Sequence, residues 1–264
     1  MLYNSLKKLS KPSFKNLLHN QMQRAGKIFF IIFLCSFSFS LQATPEKIED
    51  NLLYGNQSER LGAIRYCAYA RLESCYYHLI ELMKHTDNLT RGEAARAIGM
   101  IGVQESIPHL AKFLEAEKDE VAIKDIIAAF GYLHNKKATE FVLPYINHKN
   151  VMIRMATART LISIRDKSSL EKINEAIGTE NDALVKTTLI HASLKINRKS
   201  PKLVFALAES IFDTRKHVRY QAAQAAYDLK LKELSKSLAT AIKLEKDTWV
   251  KGALERAYYN TIYD

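Results

Sequence analysis

The sequence predicts an all-α fold, a right-handed α-solenoid of about six to seven stacked helix hairpins. Three observations support this prediction. One residue pattern returns about every 32 residues, and the stretches between the turns are apolar with helical spacing. Residues that break helices are scarce, with 9 Gly and 5 Pro among 264 residues, about half of their average usage. This scarcity argues against an all-β fold and favours many helices joined by short turns.

The first helix of each repeat is marked by a basic residue and by a capping residue four positions before it. An Asp or Asn ahead of an apolar periodic run caps a helix, because its side chain accepts backbone N–H bonds. Only Arg215 departs from this acid-or-amide rule. The basic column is Arg60, Arg91, Lys124, Arg154, Lys186, Arg219 and Lys251, and the capping column is Asn56, Asp87, Glu120, Asn150, Asp182, Arg215 and Asp247.

A second helix follows in each of the six full repeats. The positions nineteen and twenty-two residues after the basic residue are apolar throughout, which places an apolar stripe on one helix face. A mostly small and polar residue at position fifteen is expected to cap this helix. One hairpin cannot bury both of its faces, so the hairpins must stack. The two apolar columns are Leu79, Leu110, Leu143, Ile173, Phe205 and Leu238, then Leu82, Phe113, Ile146, Ala176, Ala208 and Ala241.

The pattern resembles HEAT-like repeats of the short type found in phycobilin lyases, whose motif is D-x-x-V-R-x-x-A-A-x-A-L. The matching segments include DNLTRGEAARAIG, NVMIRMATARTL and DTWVKGALERAYY. The resemblance covers residues 56–264 and implies that the acidic and basic columns form a structural ladder between repeats. Ala-rich stretches such as AARAIGMIG predict a close approach of neighbouring first helices.

The amino-terminal segment has the layout of a secretory signal peptide. Basic residues precede the apolar run IFFIIFL at 28–34, and the small residue Ala43 follows it. We expect residues 1–43 to be the signal peptide and residues 44–264 to be the solenoid, in a periplasmic or secreted protein. We predict that translation starts at Met22, which gives a signal of normal length, and an uncleaved membrane anchor is the alternative. Removal of residues 1–43 lowers the formal net charge from +11 to +5.

No enzyme motif occurs in the sequence. It has no G-x-S-x-G, P-loop, G-x-G-x-x-G or H-E-x-x-H segment. HEAT-like deoxyhypusine hydroxylases bind iron through His-Glu pairs, but none of the eight histidines here is followed by Glu. His78 and His109 share one column, yet they lack the approach and the third ligand of a metal site. We therefore predict no cofactor, no metal and no catalytic residue.

Two cysteines, Cys67 and Cys75, remain after the predicted cleavage. An oxidising compartment allows a disulfide, but the two positions need not come within the Cα limit of about 7 Å. The sequence favours two free thiols, with Cys67 pointing into the core, and leaves the bridge as the alternative.

The resemblance places the second helices on the concave surface of the solenoid. Residues opposite the apolar stripe would then face a partner, and several of them are apolar or aromatic, which is typical of protein interfaces. A helix phase off by about 40° would instead bury them between repeats. The residues expected to contact a partner are Tyr77, Glu81, Lys112, Phe141, Tyr145, His148, Leu203 and Leu207.

These features favour an exported, non-enzymatic scaffold that binds a protein partner, acts as a monomer, binds no nucleic acid and has no membrane span after signal removal. One alternative is an enzyme-accessory or lyase-like HEAT protein. Another is a nucleic-acid-binding HEAT-like protein, but the predicted groove has mixed charges rather than a continuous basic stripe.

Overall fold

The computed structural model describes residues 45–263, which contain fourteen α-helices joined by short turns. The predicted signal peptide, residues 1–43, and the alternative start at Met22 lie outside the described residues. Residues 1–48 and 49–264 form separate units, and everything below concerns the second unit, apart from the bounds of the first helix. Among residues 45–263, no helix is both long and apolar enough to span a membrane.

The helices alternate in two sets, here called A and B. Helix α1 spans Pro45–Leu53. The A helices are α2 (Gln57–Tyr69), α4 (Asn88–Ile101), α6 (Glu120–Leu133), α8 (Val151–Ile164), α10 (Ala183–Ile196), α12 (Lys216–Leu229) and α14 (Thr248–Ile262). The B helices are α3 (Tyr76–Leu82), α5 (Ile107–Ala116), α7 (Thr139–Val142), α9 (Leu170–Thr179), α11 (Pro201–Ser210) and α13 (Ser235–Leu244). Each A helix packs on the A helices of neighbouring repeats, and each B helix packs on the A helix that follows it.

Side-chain caps begin five of the six A helices from α4 onward. Asp87, Asn150 and Asp182 accept backbone N–H bonds at the expected positions, as does Asp247. Arg215 makes no side-chain cap bond. The predicted cap Glu120 is wrong by one residue, because Asp119 accepts the N–H groups of Val121 and Ala122.

The shift at α6 also moves the basic column by one residue. Measured from its true cap, the position equivalent to Arg91 is Ile123, which is buried. Lys124 is therefore outside the column, and its ammonium lies 3.4 Å from the carboxylate of Asp125. Since a helix turns about 100° per residue, every face assigned to this repeat from Lys124 is rotated by that angle.

Small residues allow the A helices to approach closely, as the Ala-rich stretches predicted. Ala94, Ala95 and Ala97 are buried in α4. A Cβ atom added to Gly99 would lie only 2.5 Å from the carbonyl oxygen of Ala129 in α6. A larger side chain at Gly99 would therefore push the two helices apart.

The turn from A to B helix has one conformation in five of the six repeats. A residue with positive φ ends the A helix, and a short 3₁₀ turn leads into the B helix. The expected capping residues Ser106 and Ser169 are buried here, but their hydroxyls donate to the carbonyls of Val103 and Asp166 instead of capping the B helix. The residues with positive φ are Arg71, Gly102, His134, Arg165 and Lys230.

The turn from B helix to the next A helix is held by arginine–glutamate pairs, here called clamps. Arg154 donates from Nε and Nη2 to the two carboxylate oxygens of Glu180, at 2.7 and 2.9 Å, and from Nη1 to the carbonyls of His148 and Lys149. One guanidinium thus joins two successive turns. Arg91 pairs with Glu117 and Arg219 with Glu245 in the same geometry.

The predicted ladder paired the wrong residues, as the clamps show. The partner of each arginine is a glutamate two residues before a cap, and the capping Asp residues bind backbone N–H groups instead. The carboxylates are well aligned for charge-assisted bonds. The Arg91 side chain holds the pKa of Glu117 below its usual range, and the Arg219 side chain does the same for the pKa of Glu245.

Cys67 and Cys75 form a disulfide, so the preference for two free thiols was wrong. Their Cα atoms are 6.2 Å apart, within bonding range. The A-to-B turn of the first repeat brings together two residues that are eight positions apart. Cys67 is fully buried, as predicted.

Candidate binding surface

The side chains of the B helices that face away from the A helices form the predicted binding surface, here called the B-helix surface. Tyr77, Glu81 and Lys112 are exposed on it. Glu81 forms a salt bridge with Lys84, two residues beyond the end of α3. These residues are free to meet a partner, and their role in binding stays a prediction.

Phe141 and Tyr145, which were predicted to lie on the exposed binding surface, are half-buried. The ring of Phe141 stacks on Phe130 of the preceding A helix, with the ring centroids 6.0 Å apart. The Tyr145 hydroxyl donates to the carbonyl of Leu114 at 3.3 Å, and burial raises the pKa of this tyrosine. The one-residue shift at Asp119 rotates both residues toward the space between repeats, which is the alternative that the sequence left open.

His148 belongs to a turn. Its Nδ1 accepts the backbone N–H of Asn150 at 3.0 Å, and its carbonyl accepts from Arg154. The imidazole also stacks on Tyr145, with the ring centroids 6.1 Å apart. Its position is explained by these bonds within the turn, as is that of His85, whose Nδ1 accepts from the N–H of Asp87 in the second repeat.

Leu207 lies in the core and is fully buried, so its assignment to the binding surface was wrong. Phe205, predicted to face the core, is 66% exposed. The reason lies in the preceding turn. Asn197 has extended backbone (φ −141°) in place of the usual positive φ, and no 3₁₀ turn follows it. The apolar stripe of α11 is therefore two residues later than in the regular repeats.

This irregular turn leaves a pocket of about 300 Å³ between α9 and α11. Leu203, one of the predicted contact residues, is half-buried at its wall. Leu170 and Ile177 supply apolar wall on the α9 side, and Asn174 stands at the rim, with its Oδ1 accepting from the Ser193 hydroxyl at 2.8 Å. The pocket thus joins an apolar floor to a polar edge, which suits one side chain of a partner protein.

No motif in the sequence pointed directly to this pocket. The turn segment NRKS at 197–200 contains no Gly. Position fifteen of this repeat, which is small and polar in most repeats, is Pro201. Pro201 in place of a small polar residue was the one sequence feature that distinguished this turn from the others. Ser200 caps α11 by accepting from the N–H of Leu203, at 3.4 Å.

A second depression, of about 240 Å³, lies on the A helices α2, α4 and α6. Its wall holds the ion pair of Arg96 with Glu93, whose N and O atoms are 2.5 Å apart, and the exposed rings of Tyr69 and Tyr132. The charged side chains of this depression are paired with each other, so it leaves fewer groups to bind a partner than the α9–α11 pocket does. Among residues 45–263, no group of three His, Cys, Asp or Glu side chains is arranged to hold a metal ion.

Known proteins with the same architecture include two solved complexes. The complex of CpcE and CpcF of phycocyanin lyase from Nostoc sp. PCC7120 is 16% identical, with a TM-score of 0.63, over 84% of this chain and 96% of that one. The Mot1 N-terminal domain in complex with TBP is 17% identical, with a TM-score of 0.55, over 96% of this chain and 40% of that one. At such identities the likeness concerns the fold alone.

Among curated proteins, an error-prone DNA polymerase of Mesorhizobium japonicum is 30% identical over 133 residues, which are 47% of this chain. The match spans 11% of the polymerase, so it concerns one local segment. The sequence profile of the HEAT repeats matches residues 51–130 and 124–193, more than half of the chain. Together with the stacked A and B helices, this match shows that the chain belongs to the HEAT-repeat family.

Proposed function

We propose that this protein is an exported, non-enzymatic scaffold whose B-helix surface binds a protein partner, with the α9–α11 pocket as the anchor point. The observation that carries the proposal is the pocket itself. It opens where the regular stacking is interrupted, and its apolar wall of Leu170, Ile177 and Leu203 is accessible from outside. Burial of a partner side chain there would remove this apolar surface from water.

Two features support export. The layout of residues 1–43 is that of a signal peptide. The Cys67–Cys75 disulfide fits an oxidising compartment, since cytosolic thiols are kept reduced. The CpcE–CpcF and Mot1–TBP complexes are examples of similar solenoids that assemble with other proteins.

Site-specific crosslinking tests the binding proposal. A photo-crosslinking amino acid would replace Asn174 at the pocket rim, and Lys172, exposed on the same helix but outside the pocket wall, would serve as the matched control. We expect one recurrent protein crosslinked from position 174 and not from position 172. The full chain would be expressed in a Gram-negative host, and mass spectrometry would identify the partner and the mature N-terminus.

A filled pocket gives the complementary test. A Cβ atom at Gly178 meets no atom within 4 Å, so Gly178→Leu fits the fold and occupies the pocket. We expect this variant to melt like the wild type and to lose the crosslink from position 174. An unchanged crosslink, or equal crosslinking from position 172, would contradict the pocket as anchor. An N-terminus ahead of residue 28 in a cytosolic protein would contradict export and leave the binding result standing.

A further inference from the structure

The A-to-B turns of the third to sixth repeats carry a row of exposed cations, here called the basic edge. In the first two repeats the corresponding 3₁₀ turns hold Glu73 and Glu105 and no Lys or Arg, whereas Glu233 accompanies Lys232 in the sixth repeat. The two parts of the solenoid also differ in net charge. Residues 45–134 hold 10 Lys and Arg against 14 Asp and Glu, whereas residues 135–263 hold 23 against 13. The basic edge consists of Lys136, Lys137, Arg165, Lys167, Arg198, Lys199, Lys230 and Lys232, all exposed.

The backbone dipoles of the B helices do not explain this row. Lys136, Lys167 and Lys232 each open a 3₁₀ turn that leads into a B helix. The amino end of a helix carries partial positive charge and favours carboxylates, as at Glu73 in the first repeat. Three of the four turns therefore place a lysine where the backbone dipoles disfavour its positive charge.

Backbone conformation does not explain the row either. Arg165 and Lys230 adopt positive φ, of 55° and 51°, as does Arg71 of the first repeat, at 52°. This region favours Gly, which the second repeat uses at Gly102. A long cationic side chain at such a position is retained at a local conformational cost.

Four lysines of the basic edge lack close carboxylate partners of the kind that the clamps have. Among residues 45–263, no carboxylate oxygen lies within 4.0 Å of the terminal nitrogens of Lys136, Lys137, Lys167 or Lys232. Asp166 lies in the same turn as Lys167, but its carboxylate is held by the Ser168 hydroxyl and N–H. Lys136 also acts on Asp166 through its charge, without a close ion pair. The charges of these four lysines are thus available to an external anion.

The arrangement of the cations indicates the form of that anion. The cations lie on the turns of four successive repeats, and packed helices are about 8–10 Å apart, so the row extends over roughly 30 Å. The turn segments that carry the cations, 135–138, 165–169, 197–200 and 230–234, contain no Phe, Trp or Tyr, whereas surfaces for single-stranded nucleic acid use stacked rings. The cations lie on exposed turns rather than within a groove that would hold a peptide. A row of this kind matches a plane of negative charge.

We propose that the basic edge binds the anionic surface of a lipid bilayer, through the phosphate groups of acidic lipids. This interaction uses the turns and not the B-helix surface, so it does not rest on the proposed function. Each Lys or Arg near such a surface strengthens binding about fivefold at moderate ionic strength. Several cations in a row give an attachment that salt weakens.

Vesicle sedimentation tests the proposal with the full chain. The vesicles would be pure phosphatidylcholine, or phosphatidylcholine with phosphatidylglycerol at a ratio of about 7:3. The test variant is K136Q/K137Q/K167Q/K232Q. The control, K118Q/K243Q/K246Q/K251Q, removes the same charge from exposed lysines elsewhere. The apolar run 28–34 is common to all three proteins, so differences between them report on the substituted lysines.

We expect the wild type to bind the acidic vesicles at least about tenfold more tightly than the neutral ones, and to lose this preference in 0.5 M NaCl. The test variant should lose at least about tenfold of the binding, and the control less than about threefold. Equal losses in the two variants would overturn the assignment to the basic edge. Binding of the wild type to duplex DNA or polyglutamate, with acidic vesicles left unbound, would overturn the lipid surface as partner.

Discussion

The fourth and fifth repeats are neighbours of similar length, but they are held together in different ways. In the fourth repeat, Arg154 clamps Glu180, Arg165 ends the A helix with positive φ, and Ile173 fills the core. In the fifth repeat, Lys186 stands in the arginine column, and among residues 45–263 it makes no ion pair within 4.0 Å. Asn197 is extended, and the core is filled by Leu207.

A different network joins the fifth repeat to the sixth. Asp228 of α12 accepts from Lys195 Nζ at 2.6 Å and lies 2.8 Å from His191 Nε2, both on α10. The hydrogen bond with His191, followed by the one with Lys195, holds the pKa of Asp228 far below its usual range. In addition, α11 packs against both α10 and α12. The repeat therefore tolerates the loss of its clamp and of its regular turn once another contact joins the helices, and a pocket opens as a result.

The largest expected effect distinguishes Leu207 from Phe205. Leu207→Ala removes a fully buried side chain and should lower the free energy of unfolding by about 3 kcal/mol. Phe205→Ala should change it by less than about 0.5 kcal/mol, because this ring is 66% exposed. Urea unfolding followed by circular dichroism measures both. Similar losses in the two variants would mean that α11 keeps the phase of the regular repeats.

The clamp of the fourth repeat should come next in size. Arg154→Ala leaves the carboxylate of Glu180, which is almost fully buried, without its cation and should cost about 2 kcal/mol. Lys186→Ala, the equivalent change in the fifth repeat, should cost less than about 0.5 kcal/mol. Urea unfolding at pH 7 compares the pair. If Lys186→Ala cost as much as Arg154→Ala, the basic column would stabilise both repeats equally.

The clamps also predict a pH dependence. Burial alone would raise the pKa of Glu180, but the hydrogen bonds from Arg154 and from the Asp182 N–H outweigh it and lower this pKa. A carboxyl whose pKa is lower in the folded state stabilises the fold above its unfolded pKa of about 4.3, and this contribution is lost as the pH falls through the folded pKa. The stability gap between the wild type and Glu180→Gln should therefore be largest at pH 7.

Urea unfolding between pH 7 and pH 3 measures this gap. Below pH 4.3 it should shrink steadily, since the protonated glutamic acid then resembles glutamine. A gap that stays constant over this range would show that the Glu180 charge does not stabilise the turn.

The smallest expected effect concerns the two A-to-B turns. Arg165→Gly should stabilise the protein by up to about 1 kcal/mol, because Arg165 has positive φ and glycine adopts it without strain. Asn197→Gly should destabilise by about 0.5 kcal/mol, because Asn197 has extended backbone and glycine adds only entropy to the unfolded chain. Thermal melting of the two variants reports the sign. A stabilising Asn197→Gly would contradict the irregular turn.

Much of the fold followed from local sequence rules. The caps at Asp87, Asn150, Asp182 and Asp247 were predicted because an Asx side chain bonds to N–H groups only two or three residues away. The predicted binding surface was less complete. Tyr77, Glu81 and Lys112 are exposed as expected, whereas Leu207 is buried and Phe141 is half-buried. The cap at Asp119 and the irregular turn at Asn197 each changed which face of the following helix is buried. Counting positions from the basic column could not detect either change.

The helical repeat, its period, most of its caps and the apolar fraction of each hairpin were predictable from the sequence alone, because these depend on neighbours within a few positions along the chain. Tertiary structure decided which partner each charge took, as with the Arg154–Glu180 clamp and the Asp228 network. It also decided that Cys67 and Cys75 meet and that a pocket opens beside α11. These outcomes depend on how separate helices approach each other, and a change of one or two residues in a turn rotates a helix face by 100° or more.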